Sequence, residues 1–259
     1  MTTVLEQIVE RTRARLKDEP KPDRRAAEAV ADQRTRFAFR EALSRDAINV
    51  IAEVKSASPS AGSIVANPEV ERIAGDYARG GAAAISVVTE PEFFNGSRDW
   101  LARARSASGL PVVMKDFIVE SSQLVRGIAA GADAILLLAS LLDVRQLTDF
   151  IALLEAYGCD ALVEVHDQDE LQRAIEAGAR IIGVNNRDLR DFKVDLGISE
   201  RLSALMPENA IRVAESGIRT SADIARLRNA RFNAFLVGES LLRQDDRAAA
   251  VRTLIGSRV

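Results

Sequence analysis

From about Ala47 onward, short runs of apolar and β-branched residues alternate with longer stretches whose apolar positions recur every three or four residues. The runs fall at 48–54, 84–89, 111–115, 134–138, 161–165, 181–184, 211–215 and 234–237, starting roughly 20 to 35 residues apart, and each reads as a strand. The segments between them, among them Glu69–Arg79, Ser121–Ala130, Val144–Tyr157, Gln168–Ala177 and Ser221–Leu227, read as amphipathic helices. Gly80-Gly81, Gly131, Gly158 and Gly178 each stand just ahead of the next strand, where a glycine can end a helix in the left-handed conformation. Eight strand–helix units with no strand left over predict an α/β fold, a closed (β/α)8 TIM barrel, in preference to an open doubly wound sheet. No G-x-G-x-x-G follows the first strand, which further weakens a dinucleotide-binding fold.

Residues 1–46 precede this repeat. Leu5, Ile8, Val9 and Leu16 recur at roughly helical spacing, interrupted by Glu6, Glu10, Arg11 and Arg13, and Pro20 and Pro22 break the pattern. The expectation is an N-terminal extension of one or two helices over 1–46, followed by one catalytic barrel domain over 47–259. Composition alone makes the extension a solubilising cap on the bottom of the barrel. No apolar segment follows a basic start, and no run of about twenty apolar residues is present, so neither a signal peptide nor a membrane span is expected. The expected location is the cytoplasm.

Hydrophobic residues make up 47% of the 259-residue chain and charged residues 28%, enough apolar material for a large core. Thirty-five Lys+Arg against 38 Asp+Glu leave a net charge of −3, so no basic field favours nucleic acid or an anionic membrane. An anionic substrate would have to be held by a local cluster. The single cysteine, Cys159, rules out an internal disulfide and a thiolate metal cage and fits a reducing compartment. The single histidine, His166, cannot make a His-rich metal site. Its place beside Asp167 suits a helix start or a loop hydrogen bond as well as catalysis, and it is left outside the candidate set.

The chemistry is concentrated at strand ends. Glu53 and Lys55 stand two apart at the end of the first run, so they share one side of the strand with Ile51. Lys115 ends the third run, Glu164 the fifth, Asn185 follows the sixth, and Glu215 ends the seventh. Any one of these could be a side chain reaching water at a barrel rim, and the set could be a stabilising ion-pair network. Together they describe a ring of acids and amines over one end of the barrel, suited to general acid and base work. The loops after the last two strands read Glu215-Ser216-Gly217-Ile218 and Gly238-Glu239-Ser240, glycine-bearing turns where a phosphate can approach backbone N–H groups. Phe93-Phe94 lies on a post-strand loop, placed either to cover an apolar ligand or to pack against the N-terminal helix.

The phrases Glu53-Val54-Lys55-Ser56-Ala57-Ser58-Pro59-Ser60, Phe93-Phe94-Asn95-Gly96-Ser97, Lys115-Asp116-Phe117-Ile118, Val163-Glu164-Val165-His166, Gly183-Val184-Asn185-Asn186-Arg187-Asp188-Leu189, Ala214-Glu215-Ser216-Gly217-Ile218 and Val237-Gly238-Glu239-Ser240 occur in order and cover every strand end except the fourth. Together they resemble the indole-3-glycerol phosphate synthases of tryptophan biosynthesis. The resemblance implies ring closure of 1-(2-carboxyphenylamino)-1-deoxyribulose 5-phosphate with loss of carbon dioxide and water, using no cofactor and no metal. It implies that Lys115 is the general acid at the substrate carbonyl, that Glu164 is a base assisted by Glu53, and that Lys55 contacts substrate and phosphate. Which lysine serves the dehydration stays open. Asn185, Arg187 and Ser216 would orient the anthranilate part, Phe94 and Leu189 would flank its ring, and Ser58, Gly217, Gly238, Glu239 and Ser240 would line the phosphate, with Glu215 also in contact with substrate. The extension would fold over the catalytic mouth.

Ala61 departs from this resemblance, standing where many relatives carry lysine. Two other readings stay open: a phosphoribosylanthranilate isomerase-like barrel, which would want a Cys/Asp acid–base pair at strand ends, and a catalytically silent barrel binding a sugar phosphate or a partner protein. The expected partner is a phosphorylated small molecule, and the expected state a monomer, at most a weak dimer. Two consequences are expected. Deleting residues 1–46 damages binding more than folding, and Gly238→Asp repels the substrate's anion.

Overall fold

The computed structural model describes residues 3–59, 62–188 and 193–256. Eight strands, β1 (Asn49–Val54), β2 (Ala84–Val88), β3 (Val112–Lys115), β4 (Ala134–Leu138), β5 (Asp160–Val165), β6 (Ile181–Asn185), β7 (Ile211–Glu215) and β8 (Ala234–Val237), lie within a residue or two of the runs read from the sequence. Each pairs in parallel with the next, and β8 pairs with β1, Asn49 opposite Ala234, so the sheet closes into the expected (β/α)8 barrel. Helices α1 (Val4–Asp18), α2 (Arg24–Asp32) and α3 (Ala38–Leu43) precede β1. Helices α4 (Val70–Gly80), α5 (Asp99–Ser108), α6 (Ser121–Ala129), α7 (Val144–Ala156), α8 (Gln168–Glu176), α9 (Gly197–Ser203) and α10 (Ser221–Asn229) join consecutive strands, and α11 (Glu239–Leu242) and α12 (Arg247–Leu254) follow β8. A further pair of two-residue strands, Ala57–Ser58 and Gly62–Ser63, follows β1 and pairs antiparallel, Ala57 opposite Ser63.

The two-residue alternation of the strands divides the core into two. Outward residues such as Val50, Ala52, Ile85, Val112, Val163 and Ile182 pack beneath the helices. Inward residues, among them Ile51, Val113, Leu162, Ile181 and Val213, fill the barrel's lower interior. Two positions further along those same strands stand Glu53, Lys115, Glu164, Gly183 and Glu215, so the polar layer rests on an apolar one.

The extension contains three helices, one more than the periodicity suggests, and they do different work. Thr3 and Glu6 form a reciprocal capping box that starts α1, whose buried stripe Ile8, Thr12 and Leu16 faces the barrel. Charges fasten its far end: Arg15 lies 3.6 Å from the buried Glu90 carboxylate, while Glu19 pairs with Arg98 and Arg126, each at 2.8 Å. Helix α2 packs on α6 through Ala27, and Arg34 from the turn after it donates to Ile128 O. Helix α3 is the plug. Phe39 and Leu43 are fully buried among the inward residues at the barrel's bottom, and the Asn49 and Asn233 amides both donate to Leu43 O at 3.0 Å. Both positions considered for the extension are therefore occupied, the mouth by α1 and the bottom by α3.

This division changes the expected effect of truncation, because removing residues 1–46 also removes the plug. Phe39→Ala should cost about 3–5 kcal/mol in urea denaturation, the usual range for emptying a buried phenylalanine site. Truncation through residue 46 should lower the unfolding midpoint much more than truncation through residue 20. Equal midpoints for the two truncated proteins would mean that α3 does not carry the barrel's lower core.

Candidate active site

The carboxyl ends of the strands surround a cavity of about 420 Å3. Its floor is apolar, with Val88, Leu136, Leu138 and Leu236 pointing up from β2, β4 and β8, and α1 contributes Val4, Leu5 and Ile8 from above. Within it Lys115 Nζ lies 2.9 Å from Glu164 Oε2 and 3.1 Å from Glu215 Oε2, bridging β5 and β7 from β3. Asn185 Nδ2 donates to the other Glu164 oxygen at 3.1 Å. Across the cavity Lys55 Nζ pairs with Glu53 Oε1 at 2.7 Å. Two amines and three carboxylates thus meet in a space that takes them largely out of water.

Burial sets the protonation states, and the neighbours decide their direction. Burial alone would depress the Lys115 ammonium, but Glu164, Glu215 and Glu53 outweigh it and hold the proton more firmly than in water. Burial pushes Glu164 up, yet Lys115, His166 and the Asn185 amide overcome this and keep it ionised well below the usual range. Glu215 goes the other way: burial, with Glu164's charge adding to it against the pull of Lys115, pushes it up to about 7. Its Oε1 has no hydrogen-bond partner among the described residues. The result is one firm carboxylate and one near neutrality on the same ammonium.

Two glycines make this arrangement sterically possible. A Cβ at Gly183 would overlap Glu215 Oε1, and a Cβ at Gly238 would overlap Glu53 Oε1 and come within 3.0 Å of Lys55 Nζ. Gly238→Asp would thus displace the Glu53–Lys55 pair itself, so it cannot isolate an effect on a bound anion. Ser216 and Gly217 both take positive φ, turning the chain across the mouth, and Ser240 Oγ donates to Ile218 O at 3.2 Å, joining the loops after β7 and β8. Glu239 lines the same corner and pairs with Arg243 at 2.9 Å.

Other candidates arrive by way of the loops. The Glu90 carboxylate accepts the N–H groups of Glu92, Phe93 and Phe94, shaping the turn that carries Phe94 to within 5.9 Å of the Phe117 ring. Ala57 N donates to Phe94 O, bringing Ser58 alongside. Arg187 N donates to Asn185 Oδ1 at 3.0 Å, and Arg187 lines the cavity. Leu189 lies outside the described residues, as do Ser60 and Ala61. Of the candidate residues within the described chain, all border this one cavity. Sequence reasoning left without a role, among other lining residues, Phe117, Leu136, Leu138, Arg219 and Arg243, and also His166 behind the cavity. Phe117 stood in a recognised phrase, whereas nothing distinguishes an apolar strand residue that faces a cavity from one that faces the core.

Cys159 is buried just ahead of β5, at the opposite end of the barrel from the cavity, which removes the cysteine-based alternative. Among the described residues no cluster of three or more His, Cys, Asp or Glu could hold a metal ion, and no helix is long and apolar enough to cross a membrane.

A parallel barrel whose strand ends present opposed lysines and glutamates over an apolar floor has the architecture of an α/β-barrel enzyme, with its cavity at the carboxyl ends of the strands. The family model described as indole-3-glycerol phosphate synthase matches residues 5–254. Proteins of that name from Lachnoclostridium phytofermentans and Koribacter versatilis are 42% and 45% identical, covering 97% and 99% of this chain and 98% and 100% of theirs. The chain therefore belongs to the indole-3-glycerol phosphate synthase family, carboxy-lyases of tryptophan biosynthesis. Among solved structures, KGPDC from Streptococcus mutans superposes with a TM-score of 0.62 at 11% identity over 82% of this chain and 97% of its own. A thiamine phosphate pyrophosphorylase from Pyrococcus furiosus gives 0.58 at 16% over 80% and 93%. At that identity the likeness concerns the fold alone.

Glu215 provides a thermodynamic test of the site. A glutamate in the unfolded chain releases its proton near 4.5, whereas Glu215 keeps it to about 7. Between these values the folded state binds more protons, so Glu215's contribution to stability falls as pH rises from about 4.5 to 7 and is level above. Glu215→Gln removes that slope. The variant should gain stability relative to the wild type when urea denaturation is repeated at pH 5 and pH 8, and a constant difference would place Glu215 among ordinary carboxylates.

Proposed function

We propose that this cavity closes the indole ring of 1-(2-carboxyphenylamino)-1-deoxyribulose 5-phosphate, with Lys115 as the acid that starts the reaction. The observation that carries the reading is the Lys115 ammonium, held between Glu164 and Glu215 over an apolar floor and facing the open cavity. In the first step the ring carbon bearing the carboxylate attacks the carbonyl of the sugar chain, and Lys115 gives its proton to the developing alkoxide. Loss of carbon dioxide restores the aromatic ring. Dehydration then removes the new hydroxyl as water, which needs a proton donor at that oxygen and a base for the proton lost from the ring system. Glu164 is the base and Glu53 assists it. Lys55, paired with Glu53 on the other side, holds the sugar phosphate end and is the second acid available.

The physical environment supports each assignment. An aromatic ring carrying a carboxylate suits a pocket floored by Leu136 and Leu138, walled by Phe94 and bordered by Asn185, Arg187 and Ser216; Leu189 belongs with this group by family position. The phosphate falls at the corner of Gly217, Gly238, Glu239 and Ser240, near Ser58, where the first turn of α11 has N–H groups without helical partners. The reading includes a monomeric enzyme in the cytoplasm, and the free, buried Cys159 fits a reducing compartment. The direct test is to add the carboxyphenylamino substrate and follow indole fluorescence.

Two sets of variants divide the roles. Lys115→Met should lower kcat by about 10²-fold or more, as loss of a general acid does, with a much smaller change in Kd. Lys55→Met should weaken affinity as well. A folded Lys115→Met protein with near-normal kcat would transfer the first proton to Lys55. At the phosphate corner, Ser240→Asp should raise KM at least about tenfold by opposing the anion's charge, and inorganic phosphate should inhibit the wild type competitively. An unchanged KM in that variant would move the phosphate away from α11.

A further inference from the structure

His166 does not line the cavity, yet it stands directly behind the carboxylate assigned as base. It follows Glu164 by two residues, just past the end of β5, and its ring is mostly buried. Its Nε2 lies 3.3 Å from Glu164 Oε1, close enough for strong attraction between charges but off the line of an aligned hydrogen bond. On the far side Nδ1 lies 3.0 Å from Glu170 Oε2, and the same carboxylate oxygen accepts the His166 backbone N–H at 2.8 Å. Glu170 is itself buried in the first turn of α8, where its N–H donates to the Asp167 cap. The ring is thus gripped by two carboxylates at opposite nitrogens. A neutral imidazole has only one N–H to offer, whereas the imidazolium has two.

We propose, resting on the reading of Glu164 as the base, that His166 is a positioning residue: a resident imidazolium, braced by Glu170, that holds the Glu164 carboxylate ionised and turned toward Lys115. Three groups converge on that carboxylate. Lys115 takes Oε2 from β3, while Asn185 from β6 and His166 share Oε1. Among the described residues the charged groups in contact with the ring are Glu164, near the end of β5, and Glu170 on α8; Lys115 is linked to it through Glu164, Glu215 through Lys115, and Arg173 of α8 donates to Ala139 O. Burial disfavours the charged ring, but the contacts with Glu164 and Glu170 prevail and push it up to about 10. The consequence is catalytic. When substrate draws Lys115 away from Glu164, His166 remains as the cation that keeps the base unprotonated.

Because His166 is the only histidine in the chain, its protonation is readable without assignment by ¹⁵N-detected NMR. The wild type should show an imidazolium through pH 8, and Glu170→Gln and Glu164→Gln should each lower the pH at which it titrates. His166→Ala should move the acid limb of the kcat–pH profile upward by about one unit, a tenfold change in the ionised fraction, and leave KM within about twofold. His166→Gln, which keeps a hydrogen-bond donor without the charge, should restore the folded structure but not the acid limb. A neutral imidazole at pH 8 in the folded wild type overturns the proposal, and so does an unmoved acid limb in either folded His166 variant. Full activity in Glu164→Gln would instead sink the assignment of the base, and the NMR titration would still report on the contact.

Discussion

Everything at the mouth of this barrel depends on one buried ammonium. Lys115 reaches across from β3 to carboxylates on β5 and β7, and a charge in that position is tolerable only because opposite charges lie within about 3 Å of it. The requirement propagates outward. Glu215 needs room that only Gly183 leaves, Glu164 needs the Asn185 amide on its second oxygen, and Glu53 with Lys55 needs the bare backbone of Gly238. The acids and amines are therefore a coupled set, and the different fates of Glu164 and Glu215 follow from their neighbours, since the residue type is the same.

The extension serves that set from both ends. Helix α3 closes the bottom with Phe39 and Leu43, giving the apolar layer on which the polar layer stands. Helix α1 covers part of the mouth and is fastened through Arg15 to Glu90, the residue whose carboxylate also shapes the Phe94 turn. One buried glutamate thereby ties the position of the covering helix to the position of an aromatic wall. Through Val4, Leu5 and Ile8 the cover adds to the low-dielectric surroundings of the site.

His166 illustrates how a residue outside the cavity touches one that lines it. Read alone, it is a loop histidine near a helix start, and it does sit beside the Asp167 cap. In the folded chain the same residue lies between Glu164 and a second buried carboxylate, Glu170, so two acids far from each other in role share one ring.

The alternation of short apolar runs with amphipathic segments was sufficient for the closed barrel, because eight repeated units leave few other ways to bury both faces of parallel strands. The strand-end residues Glu53, Lys115, Glu164 and Glu215 were legible for the same reason: a period of two projects them from the inward row onto one rim. Other features depend on long-range contacts that periodicity does not encode. Nothing in the periodicity of residues 1–46 singles out Phe39 and Leu43, and only the closed bottom of the barrel makes them a plug. Leu136 and Leu138 read as core, and only the cavity above them makes them a floor. The resemblance assigned Glu164 and Glu215 different parts, but their opposite proton affinities came only from the fold: burial, the placement of Lys115 and His166, and the space beside Gly183 separated them, because proton affinity is set by the charges and dipoles that tertiary folding brings within a few ångströms.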